Sequence, residues 1–522
     1  MRRLAVVYSG EPTDQSVTLV CGANIAAARW FDAALSFHTY DEVHVFVSDE
    51  RHAAMSQHIR QKRFDAVRVF PLSHAVQIVA DTTYEAMHSP SGPILGQLRP
   101  LSSCSLGIPP VSAIHYTLSY PNLMDDVLRS LLLGAGPGDT MVALTSASRE
   151  AHRKLYAMTA DRFGIPLHEP RWNTLPIGVD LDVFSPPHGT ERQHIRHVMQ
   201  IPNDRFLVIV PGRLSIIDKS DVLSLLPYCA RIVAENHKVL FLFAGDDSRG
   251  VSRRVDAFMR SRGYGDCVCL YRSPKPSEMA LLYKAADACL VVSDSFQESY
   301  GIVISEAMAA GLPVVLPKWG PFPEVAGPNA LYFDAIDFAS TTRNWLGPVL
   351  DLIHPGIANL YAAQEVVLDL DQMVQHVLFL ASHPLRCRHV SRMVRREAET
   401  RFNWKGIIRS YEDMWRDAFM QSRAANAITH HARLDFFSLF SHYYSTQRPD
   451  FVHPARLDNA TPSAAEESAT YLRSYPELGS YLSAEMMAKM TETDAPISMT
   501  GMDHVETRHA AWMAKHGLVR WR

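Results

Sequence analysis

The sequence lacks three features that would assign its class at once. It has no surplus of positive charge, since 51 Lys and Arg stand against 55 Asp and Glu, so a nucleic-acid partner is not expected. Its seven cysteines are odd in number, and their spacing fits no zinc or disulfide framework. No apolar run approaches the length of a transmembrane span. Together these absences favour a cytoplasmic protein, with association at a membrane surface left open.

The composition is that of an ordinary globular protein with large cores. The chain has 522 residues, of which 47% are hydrophobic and 20% are charged. A chain of this length is expected to form two or three domains. The opening MRRLAVVYSGEP has only a short apolar run, which is typical of a first β-strand rather than of a signal peptide.

The first third of the chain alternates short apolar runs with helical patterns. This alternation predicts a parallel sheet covered by helices on both faces. Ser148 is the predicted N-cap of a helix. The predicted strands are 4–9, 43–48, 66–70, 112–117 and 141–146, and the predicted helices are 24–37 and 148–163.

Prolines, glycine and aspartates cluster at 176–187, as they do in linkers, and a second alternating series follows. We predict a second doubly wound domain here, with a ligand cleft at the carboxyl ends of its strands. The predicted strands are 206–213, 238–246, 267–272, 288–294 and 312–318, and the predicted helices are 221–235, 250–261, 277–286 and one from about 301. Cys267 and Cys269 are expected to be core residues of their strand.

The most informative stretch is SDSFQESYGIVISEAMAAGLPVV at 293–315. Gly301 opens a helix after a polar loop, and the free N–H groups and dipole of such a helix start suit a diphosphate. Glu298 lies just before the helix and is placed to hold sugar hydroxyls. Glu306 lies about one turn inside it and is placed to reach the hydroxyl pair of a ribose.

A second element, VPGRLSIIDK at 210–219, supplies two cations after a strand end. Arg213 and Lys219 are expected to converge on the same cleft and to neutralise a departing diphosphate, which is the stabilisation that such a leaving group needs. No metal is then required, and no cofactor is predicted.

These segments together resemble the family-4 retaining glycosyltransferases of the GT-B fold. The resemblance covers roughly residues 1–420 and rests on GRLSIIDK, AGDD, LPIGVDLDVFSP and the paired glutamates Glu298 and Glu306. It implies an α/β protein with two Rossmann-like domains facing a cleft and a C-terminal helical extension. The implied parts are an acceptor-side domain at 1–190, a nucleotide-sugar-binding domain at 191–400, cross-over helices at 401–424 and an extension at 425–522.

The resemblance also implies roles for individual residues. Arg213 and Lys219 would bind the donor diphosphate, Glu298 and His115 would contact the donor sugar, and Gly22 would lie in a loop facing donor and acceptor. The base contacts would lie near Arg272. The implied catalytic residues are Glu298, Arg213, Lys219 and His115, and the implied donor-binding residues are Gly22, Arg213, Lys219, Arg272, Tyr300, Gly301, Ile302, Val303 and Glu306.

The implied reaction moves a sugar from a nucleoside diphosphate-sugar to an acceptor with retention. The donor could be UDP- or GDP-linked, and the acceptor could be a glycan, a lipid-linked glycan, a metabolite or a protein. Two other functions fit the same fold, namely a nucleotide-sugar epimerase and a non-catalytic nucleotide- or glycan-binding relative. A homo-oligomer also stays open.

The last hundred residues resemble nothing in that family. The segments 434–444, 471–490 and 505–519 have helical or packing patterns, whereas 457–470 is typical of a loop. We expect a helical appendage. The histidines of this tail have no ligand spacing that predicts a metal site.

Overall fold

The computed structural model describes residues 1–10, 22–64, 66–91, 95–116, 122–215, 219, 222–264, 267–296, 298–338, 352–424, 450–454, 464–475, 482–492, 495–516 and 518–520.

The first domain is a parallel sheet with helices on both faces. Its strands are β1 (Arg3–Val7), β2 (Glu42–Val47), β3 (Val67–Pro71), β4 (Ala86–Ser89), β5 (Val111–Ile114), β6 (Thr140–Ala143) and β7 (Arg171–Thr174). Its helices are α1 (Gly22–Phe37), α2 (Asp49–Lys62), α3 (Ala75–Ala80), α4 (Leu95–Ser102), α5 (Asn122–Leu133) and α6 (Ser146–Phe163). The seven strands lie in the order β3-β2-β1-β4-β5-β6-β7, so the strand order reverses beside β1, where ligands bind in such folds.

The second domain repeats this architecture. Its parallel strands are β8 (Phe206–Pro211), β9 (Val239–Gly245), β10 (Val268–Arg272), β11 (Ala288–Leu290), β12 (Val314–Pro317) and β13 (Leu331–Phe333). Its helices are α7 (Glu191–Val198), α8 (Val222–Glu235), α9 (Val251–Arg262), α10 (Pro276–Ala285), α11 (Ile302–Ala309) and α12 (Phe322–Ala326). The order β10-β9-β8-β11-β12-β13 places β8 and β11 side by side, which brings the loop after each strand to one edge. The predicted pair of doubly wound domains is confirmed.

The chain then returns to the first domain. The strands β14 (Ala335–Asp337) and β15 (Val366–Leu368) form an antiparallel pair, and α13 (Pro355–Ala363) lies between them in the sequence. The helices α14 (Leu370–Ser382), α15 (Pro384–Arg401) and α16 (Trp404–Ala424) follow. From α15, Arg395 donates to the carbonyl oxygens of Phe184, at 3.0 Å, and of Ala309. From α16, Trp415 Nε1 donates to Ser112 Oγ at 2.9 Å. The two helices therefore fasten the second domain, the linker and the first domain together.

Two strands of the first sheet escaped the sequence patterns. The central strand β4 contains His88 and Ser89, both fully buried, and polar residues hide it from a search for apolar runs. One ring nitrogen of His88 has a partner on the next strand, because its Nδ1 lies 2.8 Å from Ser112 Oγ. The edge strand β7 is short and only half-buried, so it has no continuous apolar run either.

Two local predictions were wrong. The N-cap of α6 is Thr145, and Ser148 is instead the third helical residue of a capping box, in which each side chain bonds the other's backbone N–H. Cys267 is buried as expected, but Cys269 is exposed. Cys269 lies in β10, which is an edge strand of its sheet.

The tail is a separate small unit with its own core around Val452, Met487 and Met513. It contains α17 (Ala464–Arg473), α18 (Ala484–Met490), α19 (His504–Lys515) and the strands β16 (Phe451–Pro454), β17 (Ile497–Ser498) and β18 (Val519–Arg520). The strands pair antiparallel in the order β17-β16-β18, which the helical patterns did not indicate. The prediction for 434–444 lies outside the described residues.

Candidate active site

A cavity of about 450 Å³ lies between the two domains, at the carboxyl ends of their strands. Its floor is formed by the loops after β8, β9 and β11 and by the first turns of α11, and its roof by α1 and the loop after β5. Of the predicted site residues, those that line it are Gly22, Arg213, Lys219, Glu298, Tyr300, Gly301, Ile302, Val303 and Glu306.

The start of α11 has the geometry of an anion site. Gly301 is its N-cap, with φ +91° and ψ +66°, a conformation that glycine adopts at little cost. A Cβ at this position would lie 2.9 Å from Ile304 Cδ1 and 3.0 Å from Phe322 Cε1, so a side chain would also force these neighbours to shift. Gly301, Ile302 and Val303 line the cavity, so the first turn of α11, where N–H groups lack intrahelical partners, borders it.

The ends of β8 and β9 approach each other closely beneath the cavity. A Cβ on Gly245 would lie 1.7 Å from the carbonyl oxygen of Gly212, so only glycine fits there. Leu214 N donates to Asp246 O at 2.8 Å, which ties the loop after β8 to the loop after β9. This tight crossing places Arg213 at the cavity wall.

Lys219 and Glu298 form an ion pair inside the cavity. Lys219 Nζ donates to Glu298 Oε1, and the two side chains are 30% and 9% exposed. Ser293 Oγ donates to the carbonyl oxygen of Lys219 at 3.2 Å. The pair sets a cation and a carboxylate side by side in the lining of the cavity that also includes the start of α11.

Glu306 is held from both domains. Its Oε1 accepts from Arg29 Nη1 of α1 at 2.6 Å, and its Oε2 accepts from the Tyr283 hydroxyl of α10 at 3.1 Å. The Arg29 and Glu306 side chains are only 12% and 8% exposed. Burial, together with the neighbouring charge of Glu306, raises the pKa of Tyr283 well above its usual range, so this hydroxyl stays protonated and donates.

Three further contacts close the cleft around the cavity. Thr145 Oγ1 donates to the carbonyl oxygen of Ser299 at 3.0 Å, and Ser299 Oγ donates to the carbonyl oxygen of Tyr116. Ser146 N, at the start of α6, donates to the Glu324 carboxylate at 2.7 and 2.9 Å. Because Ser299 and Glu324 belong to the second domain and their partners to the first, the site residues themselves hold the domains together.

His115 lies outside the cavity lining. Its Nδ1 lies 2.6 Å from His152 Nε2, and His152 Nδ1 lies 2.7 Å from the carbonyl oxygen of Ser148. A carbonyl only accepts, so His152 carries its proton on Nδ1 and accepts from His115 Nδ1–H. Burial lowers the pKa of both rings, to about 4 for His152. The contact between His115 and a donor sugar stays a prediction.

Arg272 also lies away from the main cavity. Its Nη2 bonds Asp256 Oδ2 at 2.6 Å, and its Nε donates to Ser252 Oγ at 2.9 Å. The next residue, Ser273, has φ +48°, which is uncommon outside glycine and often marks a functional turn. The cavity wall continues through Pro274, so the backbone after Arg272, rather than its side chain, borders the cavity.

Sequence reasoning missed two residues that hold Glu306 in place, one from each domain. Arg29 and Tyr283 both bond Glu306, and neither belongs to a motif. Arg29 did carry a signal, because it is a single cation in the otherwise apolar run IAAARWF of α1. A charge inside such a run indicates a buried partner, but not which one.

Comparison with known proteins agrees with this geometry. Residues 191–336 match the family model described as glycosyl transferases group 1. They contain Arg213, Lys219 and α11, and therefore most of the cavity floor.

Curated relatives include D-inositol 3-phosphate glycosyltransferases of actinobacteria. That of Xylanimonas cellulosilytica is 30% identical over 180 residues, which are 34% of this chain and 40% of the relative. That of Segniliparus rotundus is 30% identical over 239 residues, which are 44% of this chain and 50% of the relative. That of Mycolicibacterium smegmatis is 32% identical over 177 residues, which are 33% of this chain and 37% of the relative. The chain thus spans half or less of the length of these relatives.

Solved structures share the fold across both domains. Anabaena HepE in complex with UDP and glucose is 15% identical and covers 79% of this chain and 99% of its own, with a TM-score of 0.53. A glycosyltransferase from Rickettsia africae is 13% identical and covers 80% of this chain and 98% of its own, with a TM-score of 0.56. The predicted GT-B fold is confirmed.

Within the described residues, no helix is long and apolar enough to cross a membrane. The cytoplasmic location stays a prediction.

Proposed function

We propose that this protein is a retaining glycosyltransferase of family 4 that uses a nucleoside diphosphate-sugar donor and needs no metal ion. The observation that carries the proposal is the single cavity wall that unites Arg213, Lys219, Glu298, Glu306 and the open start of α11. The match of residues 191–336 to the group 1 family model supports it, because those residues cover this wall.

In the proposed complex, the diphosphate lies at the start of α11. The helix N–H groups, Arg213 and Lys219 together offset the negative charge that grows on the diphosphate as the bond to the sugar breaks. Glu298, beside Lys219, accepts hydrogen bonds from sugar hydroxyls, and Glu306 accepts from the ribose. With two cations at the phosphates, a metal ion is not needed for this stabilisation.

The acceptor hydroxyl approaches from the first domain on the face from which the nucleotide leaves. A donor phosphate oxygen takes its proton, so the sugar carbon keeps its configuration. The protein contributes positioning and fixed charge, and closure of the cleft by Ser299 and Glu324 keeps water away from the reacting atoms. The base sits against the backbone near Ser273 and Pro274.

The test is a binding and turnover panel. UDP, GDP and their sugar conjugates are titrated while the thermal unfolding temperature is followed, because a ligand that binds the folded state raises that temperature. Nucleotide release from the stabilising conjugate is then measured with and without candidate acceptors, and the anomeric configuration of the product is read by proton NMR. Stabilisation, release and a retained anomer are expected. Absence of stabilisation by every nucleotide would overturn the donor proposal, and an inverted anomer would overturn retention.

A further inference from the structure

Four residues form a cluster at the end of the cavity where the nucleoside would lie, and we name it the Glu306 cluster. It consists of Glu306 from α11, Tyr283 from α10, Arg29 from α1 and Phe184 from the linker between the domains. The Arg29 guanidinium carbon lies 5.1 Å from the Phe184 ring centre, and the Phe184 and Tyr283 rings are 5.9 Å apart, edge to face. The cluster therefore joins both domains and the linker at one carboxylate.

The hydrogen bonds of Glu306 leave room for a diol. A carboxylate accepts about four hydrogen bonds, about two on each oxygen. Among the described residues, Arg29 uses one position on Oε1 and Tyr283 uses one on Oε2, which leaves capacity for one more donor on each oxygen. Two neighbouring hydroxyls, such as the 2′ and 3′ hydroxyls of a ribose, match that remaining capacity.

Arg29 also orients the carboxylate, since its Nη1 donates to Glu306 Oε1 at 2.6 Å. Glu306 is 6% exposed, and a buried carboxylate without a cation is strongly disfavoured. The Arg29 side chain is itself restrained against the Phe184 ring. Since Arg29 belongs to the first domain, its bond to Glu306 exists only while the two domains lie together.

We propose that Arg29 is a positioning residue for the ribose of the donor, acting through Glu306 and coupling recognition of the ribose diol to closure of the cleft. This inference rests on the proposed function. It predicts that Arg29 contributes to nucleotide affinity only when the nucleotide carries both hydroxyls.

Calorimetric titrations with UDP, GDP and the 2′,3′-dideoxy form of each test this directly. The wild type should prefer the ribonucleotide by about tenfold to a hundredfold, as expected for hydrogen bonds to a charged group. Arg29→Gln should reduce that preference to near unity while leaving dideoxynucleotide affinity unchanged. Arg29→Lys, which keeps the charge, should restore part of the preference. In a Glu306→Gln background, Arg29→Gln should have no further effect.

Control variants distinguish a loss of ribose preference from a loss of folding and from a failure of the protein to bind nucleotides at all. Arg60→Gln, on the exposed part of α2, should change neither affinity. If Arg29→Gln does not fold, the double variant with Glu306→Gln removes both buried charges, and Arg29→Lys still reports the preference. The role of Arg29 would be overturned if Arg29→Gln lost affinity equally for the ribonucleotide and the dideoxynucleotide. It would also be overturned if Arg29→Gln bound the ribonucleotide as tightly as the wild type or more tightly. Wild-type protein that binds neither UDP nor GDP would instead overturn the donor proposal, and this inference with it.

Discussion

Replacing Lys219 with alanine should lower kcat/KM for the donor by about a hundredfold to a thousandfold. The Lys219 side chain is 30% exposed, so an effective dielectric constant of about 20 suits its surroundings. At about 4 Å, a unit cation then stabilises a unit of negative charge by about 4 kcal/mol. Each 1.4 kcal/mol or so is about tenfold in rate, and part of the attraction is already present in the bound donor. The expected decrease in kcat/KM is therefore at most about the thousandfold that the full 4 kcal/mol or so would give.

The assay is nucleotide release from the donor conjugate that stabilises the wild type, measured beside thermal unfolding. Lys219→Arg keeps the cation and should retain activity within about tenfold. Lys238→Ala is the matched control. Lys238 is exposed and directly precedes β9, so it lies at the amino ends of the strands, whereas the cavity lies at their carboxyl ends. It should behave as wild type in both measurements.

The same substitution removes the partner of Glu298, whose side chain is only 9% exposed, so stability must be separated from turnover. Neutralising both residues in Lys219→Ala/Glu298→Gln should recover the unfolding temperature without recovering turnover. The reasoning is refuted if Lys219→Ala keeps kcat/KM within about threefold of wild type at an unchanged unfolding temperature.

Three other predictions follow from the geometry. Gly301→Ala should destabilise the protein by about 1–3 kcal/mol and abolish nucleotide binding, because the new Cβ would lie 2.9 Å from Ile304 in a left-handed backbone conformation. Chemical denaturation measures the first effect and calorimetry the second, and normal nucleotide binding would contradict the prediction. Glu324→Ala should weaken nucleotide binding by about fivefold, since the N–H of Ser146 loses its partner across the cleft; an unchanged Kd by calorimetry would refute it. Burial lowers the pKa of His88 to about 3, below its ordinary 6.5, so the unfolded chain takes the proton first. The free energy of unfolding should therefore fall by about 1.4 kcal/mol per pH unit from this residue between pH 6 and pH 4, a slope that urea titrations would find reduced in His88→Gln.

The architecture was predictable wherever a local pattern carried it. The strands β8 and β9 and the helices α1 and α6 were predicted close to their observed bounds, because buried apolar runs and helical periodicity are properties of neighbouring residues. The same holds for the loop and glycine that open α11, which lie within one stretch of sequence. The strand β4 was missed because its polar His88 is buried by pairing with Ser112, a residue on another strand.

The sequence by itself determined the two doubly wound domains and the stretch at 293–315 from which the site is built. Only the tertiary structure decided which charges meet there. Lys219 and Glu298 are 79 residues apart, and Arg29 and Glu306 are 277 apart. Such pairs depend on how the sheets and domains pack, which no local pattern encodes. The packing therefore joined a carboxylate of the second domain to a cation of the first.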